Sequence, residues 1–175
     1  AEQPLPDGGC CNLGAVNLER YVDENGNFMI ESFKETVQIA TRFLDNVVSW
    51  NESLNALDKQ KRAASETRRL GRGVMGVADM LNQLGIGYDS KEGVDLMTQI
   101  MEFITNASFQ ASASLAKEKG MSPIFDLDKY MECPFIQESL SENTKLAIRK
   151  HGLRNIAIMS IAPTGTISNI VLSYK

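Results

Sequence analysis

The sequence has little cysteine and histidine, few prolines, and no long apolar run. Three cysteines, Cys10, Cys11 and Cys133, stand among 175 residues, too few and too unevenly spaced for a disulfide framework. One histidine, His151, and no Cys-x-x-Cys pair fall short of the four or so ligands of a structural zinc site, so no metal is expected. No stretch approaches the ~20 apolar residues that cross a bilayer, and no membrane partner is expected. Net charge is −4 with no basic block, which excludes a nucleic-acid surface built on many phosphate contacts. A site for one nucleotide needs only a few donors and stays open. The opening Ala1-Glu2-Gln3-Pro4 lacks the basic and apolar regions of a signal peptide. The expected compartment is therefore a reducing cytoplasm, where a special cysteine is catalytic rather than stapling.

The length suits one domain with a real core. What is present reads as a mostly helical α/β chain with two or three short buried strands. Pro4, Pro6, Gly8 and Gly9 keep residues 1–10 irregular, and residues 11–18 suit a short strand. Asn25-Gly26 predicts a turn. Ser32 and Glu35 have capping-box spacing, and Phe33, Val37, Ala40, Leu44, Val47 and Val48 follow at helical period. A second helix is predicted over 56–66. Gly71, Gly73 and Gly76 predict a close packing turn, then a short helix over about 74–84 stopped at Gly85. A long helix starts at Ser90, carries Met97, Met101, Ile104, Ser108, Ala111 and Leu115 on one stripe, and ends at Gly120. Residues 121–140 read as irregular, and a helix over 141–150 closes at Gly152. Ile156 to Ile161 is a nearly continuous apolar run of strand length, as in a parallel sheet covered by helices.

Two segments read as chemistry. Cys11 follows Gly8-Gly9 and precedes Asn12-Leu13-Gly14. A strand end beside a flexible loop is where α/β proteins place reactive groups, although a cysteine alone is ordinarily a small buried hydrophobe. Pro163-Thr164-Gly165-Thr166-Ile167-Ser168 sets a glycine between two threonines. Backbone N–H groups there, with a helix starting just after, make a cradle for a phosphate; the alternative is a plain strand-to-helix turn capped by threonine. Arg68-Arg69 and Gly71-Arg72-Gly73 read as a helix end with surface arginines followed by a glycine packing turn, rather than as a basic phosphate site. His151 reads as a helix C-terminal cap. Glu2 by itself reads as a solvated carboxylate, and Cys133 carries no role.

Five segments occur in order: Glu2-Gln3-Pro4-Leu5; Cys11-Asn12-Leu13-Gly14-Ala15-Val16-Asn17-Leu18; Arg68 through Leu81; His151-Gly152-Leu153-Arg154-Asn155; and Ala162-Pro163-Thr164-Gly165-Thr166-Ile167-Ser168. Together they resemble the large chain of ribonucleotide reductases. The Glu-Gln-Pro-Leu and Pro-Thr-Gly-Thr-Ile-Ser variants look most like the class II, adenosylcobalamin-dependent branch. The resemblance covers nearly all of the chain.

That resemblance implies an α/β fold, part of a ten-stranded α/β barrel, with residues 1–175 forming one domain incomplete at both ends. It implies reduction of a ribonucleoside di- or triphosphate by thiyl-radical chemistry. Glu2 would be the general base and Cys11 one of two redox thiols. Pro163, Thr164, Gly165, Thr166, Ile167 and Ser168 would bind the substrate phosphates. The radical cysteine would fall immediately before Ala1, so the segment alone is expected to be inactive. Adenosylcobalamin is the implied cofactor. The implied partners are a thioredoxin-like dithiol, the remainder of the barrel, and a second copy in the intact enzyme. Two alternatives are a class I large chain served by a separate metal-containing radical subunit, and an inactive nucleotide-binding remnant.

Overall fold

Strands enter this chain only where long helices can cover them. The computed structural model describes residues 4–172. Strand β1 (Asn12–Asn17) runs through a 3-10 turn, 18–21, and a tight turn at Gly26 into helix α1 (Ile30–Leu54). Then come α2 (Asp58–Thr67), strand β2 (Leu70–Met75), α3 (Val77–Gln83) and α4 (Lys91–Lys119). Short helices α5 (Leu127–Met131) and α6 (Pro134–Ser139), α7 (Glu142–His151) and α8 (Gly165–Leu172) complete the order.

β1 and β2 are parallel, in register from Asn12 opposite Leu70 to Asn17 opposite Met75. The apolar run at 156–160 lies along the other edge of β2. Leu70 N–H donates to Ala157 O at 2.8 Å, Arg72 N–H to Ile158 O at 2.9 Å, and Ser160 N–H to Arg72 O at 3.1 Å. Among the described residues its one bridge in ladder geometry is the parallel one between Met159 and Arg72. Among the described residues the sheet is therefore two strands and an irregular third, and it does not close.

The two faces of this sheet differ because side chains alternate along a strand. Val16, Leu70 and Val74 are buried toward the helices, and a Cβ on Gly14 would touch Leu44 of α1 at 3.4 Å. Phe33 and Val37 of α1 and Ile104 of α4 complete that core; full burial of a side chain like Phe33 is worth about 1.5–3 kcal/mol. Tyr21 and Phe28 pack edge-on to Phe33, with ring centroids at 5.1 and 5.3 Å. The small residues Ala107, Ser108, Ala111, Ser112 and Ala113 of α4 are all buried, the close approach that their size permits. The opposite face carries Cys11, Leu13, Gly71 and Gly73, and Leu13 is half exposed.

Caps set the helix ends where the sequence predicts them. Ser90 accepts from Gly93 N–H at 3.0 Å and Ser141 from Thr144 N–H at 3.4 Å. Gly120 and Gly152 close α4 and α7 at φ of 87° and 68°. Other expectations are corrected. α1 starts at Ile30, not at Ser32, because Phe33 N–H already bonds Met29 O at 3.0 Å. Residues 121–140 hold α5 and α6, the first capped by Asp126 and the second led by Pro134.

The largest correction is at 70–75. The expected glycine turn is β2 itself, every residue of it buried. Glycine is required in this strand: a Cβ on Gly73 would lie 2.3 Å from Ser160 O, and one on Gly71 2.6 Å from Leu13 Cδ2. Arg68, expected at the surface, is 3% exposed, and Arg72 of the expected glycine turn is 1% exposed.

Candidate functional site

The segment leading to the phosphate-type loop is anchored before it reaches the sheet. Asn155, fully buried, uses its whole polar inventory. Its Nδ2 donates to Asp45 Oδ1 and to Arg68 O, both at 3.0 Å. Its Oδ1 accepts from Ser112 Oγ at 2.8 Å, and its own N–H donates back to that hydroxyl at 3.1 Å. Asp45, also fully buried, receives Arg68 through Nε at 3.0 Å and Nη2 at 2.8 Å. Arg68 reaches it because it ends α2 in a left-handed conformation, φ 46°. Arg154 and Lys119 stand 3.5 and 3.8 Å from the same carboxylate. A buried charge is tolerated only when paired and hydrogen-bonded this fully. The network fixes where residue 156 joins β2, with Ile156 N–H on Thr67 O at 3.0 Å.

Beyond Ser160 the chain turns over the open face of the sheet into α8. Thr164 adopts φ 57°, a left-handed conformation uncommon for threonine. Its hydroxyl donates to Pro163 O at 2.7 Å, and the first helical bond is Ser168 N–H to Thr164 O at 2.9 Å. The N–H groups of Gly165, Thr166 and Ile167 precede that bond, so they lie at the positive end of the helix. Ser168 Oγ is committed to Gly165 O at 2.8 Å and serves the helix. Thr166 is exposed.

This loop walls a cleft of about 280 Å³ whose other wall is Leu13, Gly14, Ala15 and Gly73. Among the described residues no lysine or arginine lines it; an anion there would be held by backbone dipoles and the threonine hydroxyl. Cys11 stands on the same face, one alternation along the strand from Leu13, and its Sγ would be 2.8 Å from a Cβ on Gly71. It is half-buried. The sequence's two chemical segments therefore meet on one side of one sheet. Glu2 lies outside the described residues. Cys10 and Cys133 are exposed, the latter at the start of α6. His151 is the last residue of α7, beside Arg149 and Lys150, and the cap is Gly152.

The sequence reading missed Asp45, Arg72, Asn155 and Ser160. Arg72 is the most unusual: Nη2 bonds Ser108 Oγ, Ile104 O and the Met159 sulfur, while Nε and Nη1 have no partner among the described residues. Burial pushes its guanidinium down to about 10. The one available signal was position: Arg72 alternates with Leu70 and Val74 inside an apolar strand face.

A family of known proteins matches this arrangement. The model of the ribonucleotide reductase barrel domain matches residues 1–175. A vitamin B12-dependent ribonucleoside-diphosphate reductase of Thermoplasma acidophilum is 38% identical over 169 residues, 97% of this chain and 20% of that protein. The ribonucleoside-diphosphate reductase subunit alpha of Chlamydia pneumoniae is 35% identical over 92% of this chain and 17% of its own length. The solved Actinobacillus ureae class Id ribonucleotide reductase alpha subunit superposes with a TM-score of 0.68 at 28% identity, over 93% of this chain and 26% of that one. The chain thus spans about a fifth of the curated relatives it matches. Its mostly helical α/β fold with few strands is of the barrel type of these proteins. On the family match along its whole length, the chain belongs to the ribonucleotide reductases, in the barrel domain of their large subunit.

Proposed function

We propose that this chain is one section of a ten-stranded catalytic barrel that reduces ribonucleotides to deoxyribonucleotides. Residues 1–175 form a single, partial domain of it. The observation that carries the reading is the shared face: Cys11 and the 163–168 loop lie on the open, glycine-lined side of the sheet. In the overall reaction, hydrogen leaves the ribose 3′ carbon and is returned, water leaves the 2′ carbon, and two thiols give up two electrons to become a disulfide. Cys11 is one of those thiols, and an external thioredoxin-like dithiol resets it by exchange. Glu2 takes the 3′-hydroxyl proton as general base. Pro163, Thr164, Gly165, Thr166, Ile167 and Ser168 seat the phosphates and fix the sugar, so their contribution is positional. Gly71 and Gly73 let Leu13, Cys11 and the Ser160 backbone close against β2, and the cleft opens beside Gly73.

The relatives' names support adenosylcobalamin as the radical source of the intact enzyme. The cleft, at about 280 Å³, is at the lower edge of the roughly 300–1,000 Å³ of small-molecule and cofactor sites. It suits a sugar phosphate and does not fit a corrin, so no residue here is assigned to that group. The intact enzyme is placed in the cytoplasm, as a homodimer. A class I large chain is the second reading, favoured by the class Id superposition; cobalamin dependence of the full-length protein separates the two.

The test is calorimetric titration of the chain with a ribonucleoside diphosphate. Binding is expected, and Thr166→Glu, which sets a carboxylate among the loop N–H groups, is expected to abolish it. Binding unaffected by Thr166→Glu, or none by the parent chain, overturns the assignment of the loop.

A further inference from the structure

Ser160 sits where the third segment leaves the sheet, and neither the fold nor the loop uses its side chain. It is 5% exposed, and its Oγ has no hydrogen-bond partner among the described residues. An orphaned buried hydroxyl costs about 1–3 kcal/mol, so its retention calls for a use. The neighbourhood supplies one. A Cβ built on Gly71 would lie 2.8 Å from Cys11 Sγ and 3.2 Å from Ser160 Cβ. The sulfur and the serine Cβ are thus no farther apart than those distances laid end to end, about 6 Å, and a serine hydroxyl can change rotamer to face an acceptor. Glycine at 71 is what lets the two side chains share this space.

We propose that Ser160 is a positioning residue for Cys11: its hydroxyl donates to the Cys11 sulfur and stabilises the thiolate on the open face of the sheet. The thiolate is the form that attacks and exchanges, so the serine sets how readily Cys11 enters disulfide chemistry. The inference rests on the reading of Cys11 as a redox thiol for its purpose, though not for its measurement.

The experiment uses the 175-residue chain and Ser160→Ala, which removes one oxygen and leaves the Cβ against Gly71. Iodoacetamide, from which a thiolate displaces iodide, is applied at fixed mildly alkaline pH, and each cysteine is followed by peptide mass spectrometry. Cys11 alkylation is expected to slow about three- to tenfold, the size of one modest hydrogen bond, while the exposed Cys10 and Cys133 keep their rates. In the Cys10→Ser, Cys133→Ser background, the thiolate absorbance of Cys11 in the far ultraviolet is expected to fall on Ser160→Ala. A purely structural serine would lower the melting temperature and leave that absorbance unchanged. Unchanged Cys11 alkylation, unchanged absorbance, or equal slowing at all three cysteines overturns the proposal. If Cys11 responds to Ser160 but a full-length Cys11→Ser enzyme still turns over with a dithiol, the reductase role of Cys11 fails and this inference stands.

Discussion

The two faces of the β1–β2 sheet solve opposite problems with the same six-residue strands. Toward the helices, Val16, Leu70, Val74 and the buried Arg72 fill space. On the other face, Gly71 and Gly73 give up their side chains so that Leu13, Cys11 and the Ser160 backbone can approach the strand closely. One face is built for burial and tolerates an arginine only through contacts to α4 and Met159. The other gives up side-chain volume on β2 to admit the third segment and the 162–167 loop. Strand β2 serves both because positions 71 and 73 are glycine and positions 70, 72 and 74 are large.

The contrast can be broken at its anchor. Asp45→Ala leaves the buried Arg68 guanidinium without its carboxylate, and a loss of about 3–5 kcal/mol is expected in denaturant melts. Nucleotide affinity should fall with it, because Asn155 loses the same partner. Next comes the open face. Gly73→Ala places a methyl against Ser160 O, with an expected cost of about 1–3 kcal/mol and weakened phosphate binding. On the covered face the sign reverses. Arg72→Met removes two unpartnered donors from an apolar layer and is expected to stabilise the chain by about 1 kcal/mol or more, with phosphate binding retained; destabilisation would show that the guanidinium has a use.

The smallest effect is expected at the surface. Its Arg42 hydrogen bond holds the Glu118 carboxyl below the usual range. A depressed carboxylate contributes stability above its unfolded pKa and loses it as pH falls through the folded value. Both side chains are about half exposed, so Glu118→Gln should leave the melting temperature at neutral pH nearly unchanged and flatten only the acid limb of the stability curve.

Periodicity and caps made the helices legible: Ser90, Ser141, Gly120 and Gly152 mark real ends. β2 was not, because Leu-Gly-Arg-Gly-Val-Met breaks the apolar alternation and puts weak strand formers in the middle. The reason glycine is needed lies in Ser160, 87 residues downstream of Gly73 in the sequence. The buried arginines were misread for the same cause: Asp45, on α1, is 23 residues from Arg68, and nothing local announces the pair. Of the site, Cys11 and the 163–168 loop were legible from motif chemistry. Their common face and the Asp45–Asn155 anchor were not, since the first depends on strand pairing and the second on a side-chain contact between residues 110 apart.

That anchor also has a consequence in time. Asn155 must find Asp45 across 110 residues, and β1 meets β2 only after α1 and α2 have been made. Contacts of such separation cost loop-closure entropy before they return any stability, and chains dominated by them fold slowly. The helices can form early on local signals, while the loop that would hold the substrate takes its place only when residue 155 docks. In a chain emerging from the ribosome, Cys11 is therefore exposed to solvent and oxidants until residues 70–75 have been made and β2 pairs with β1.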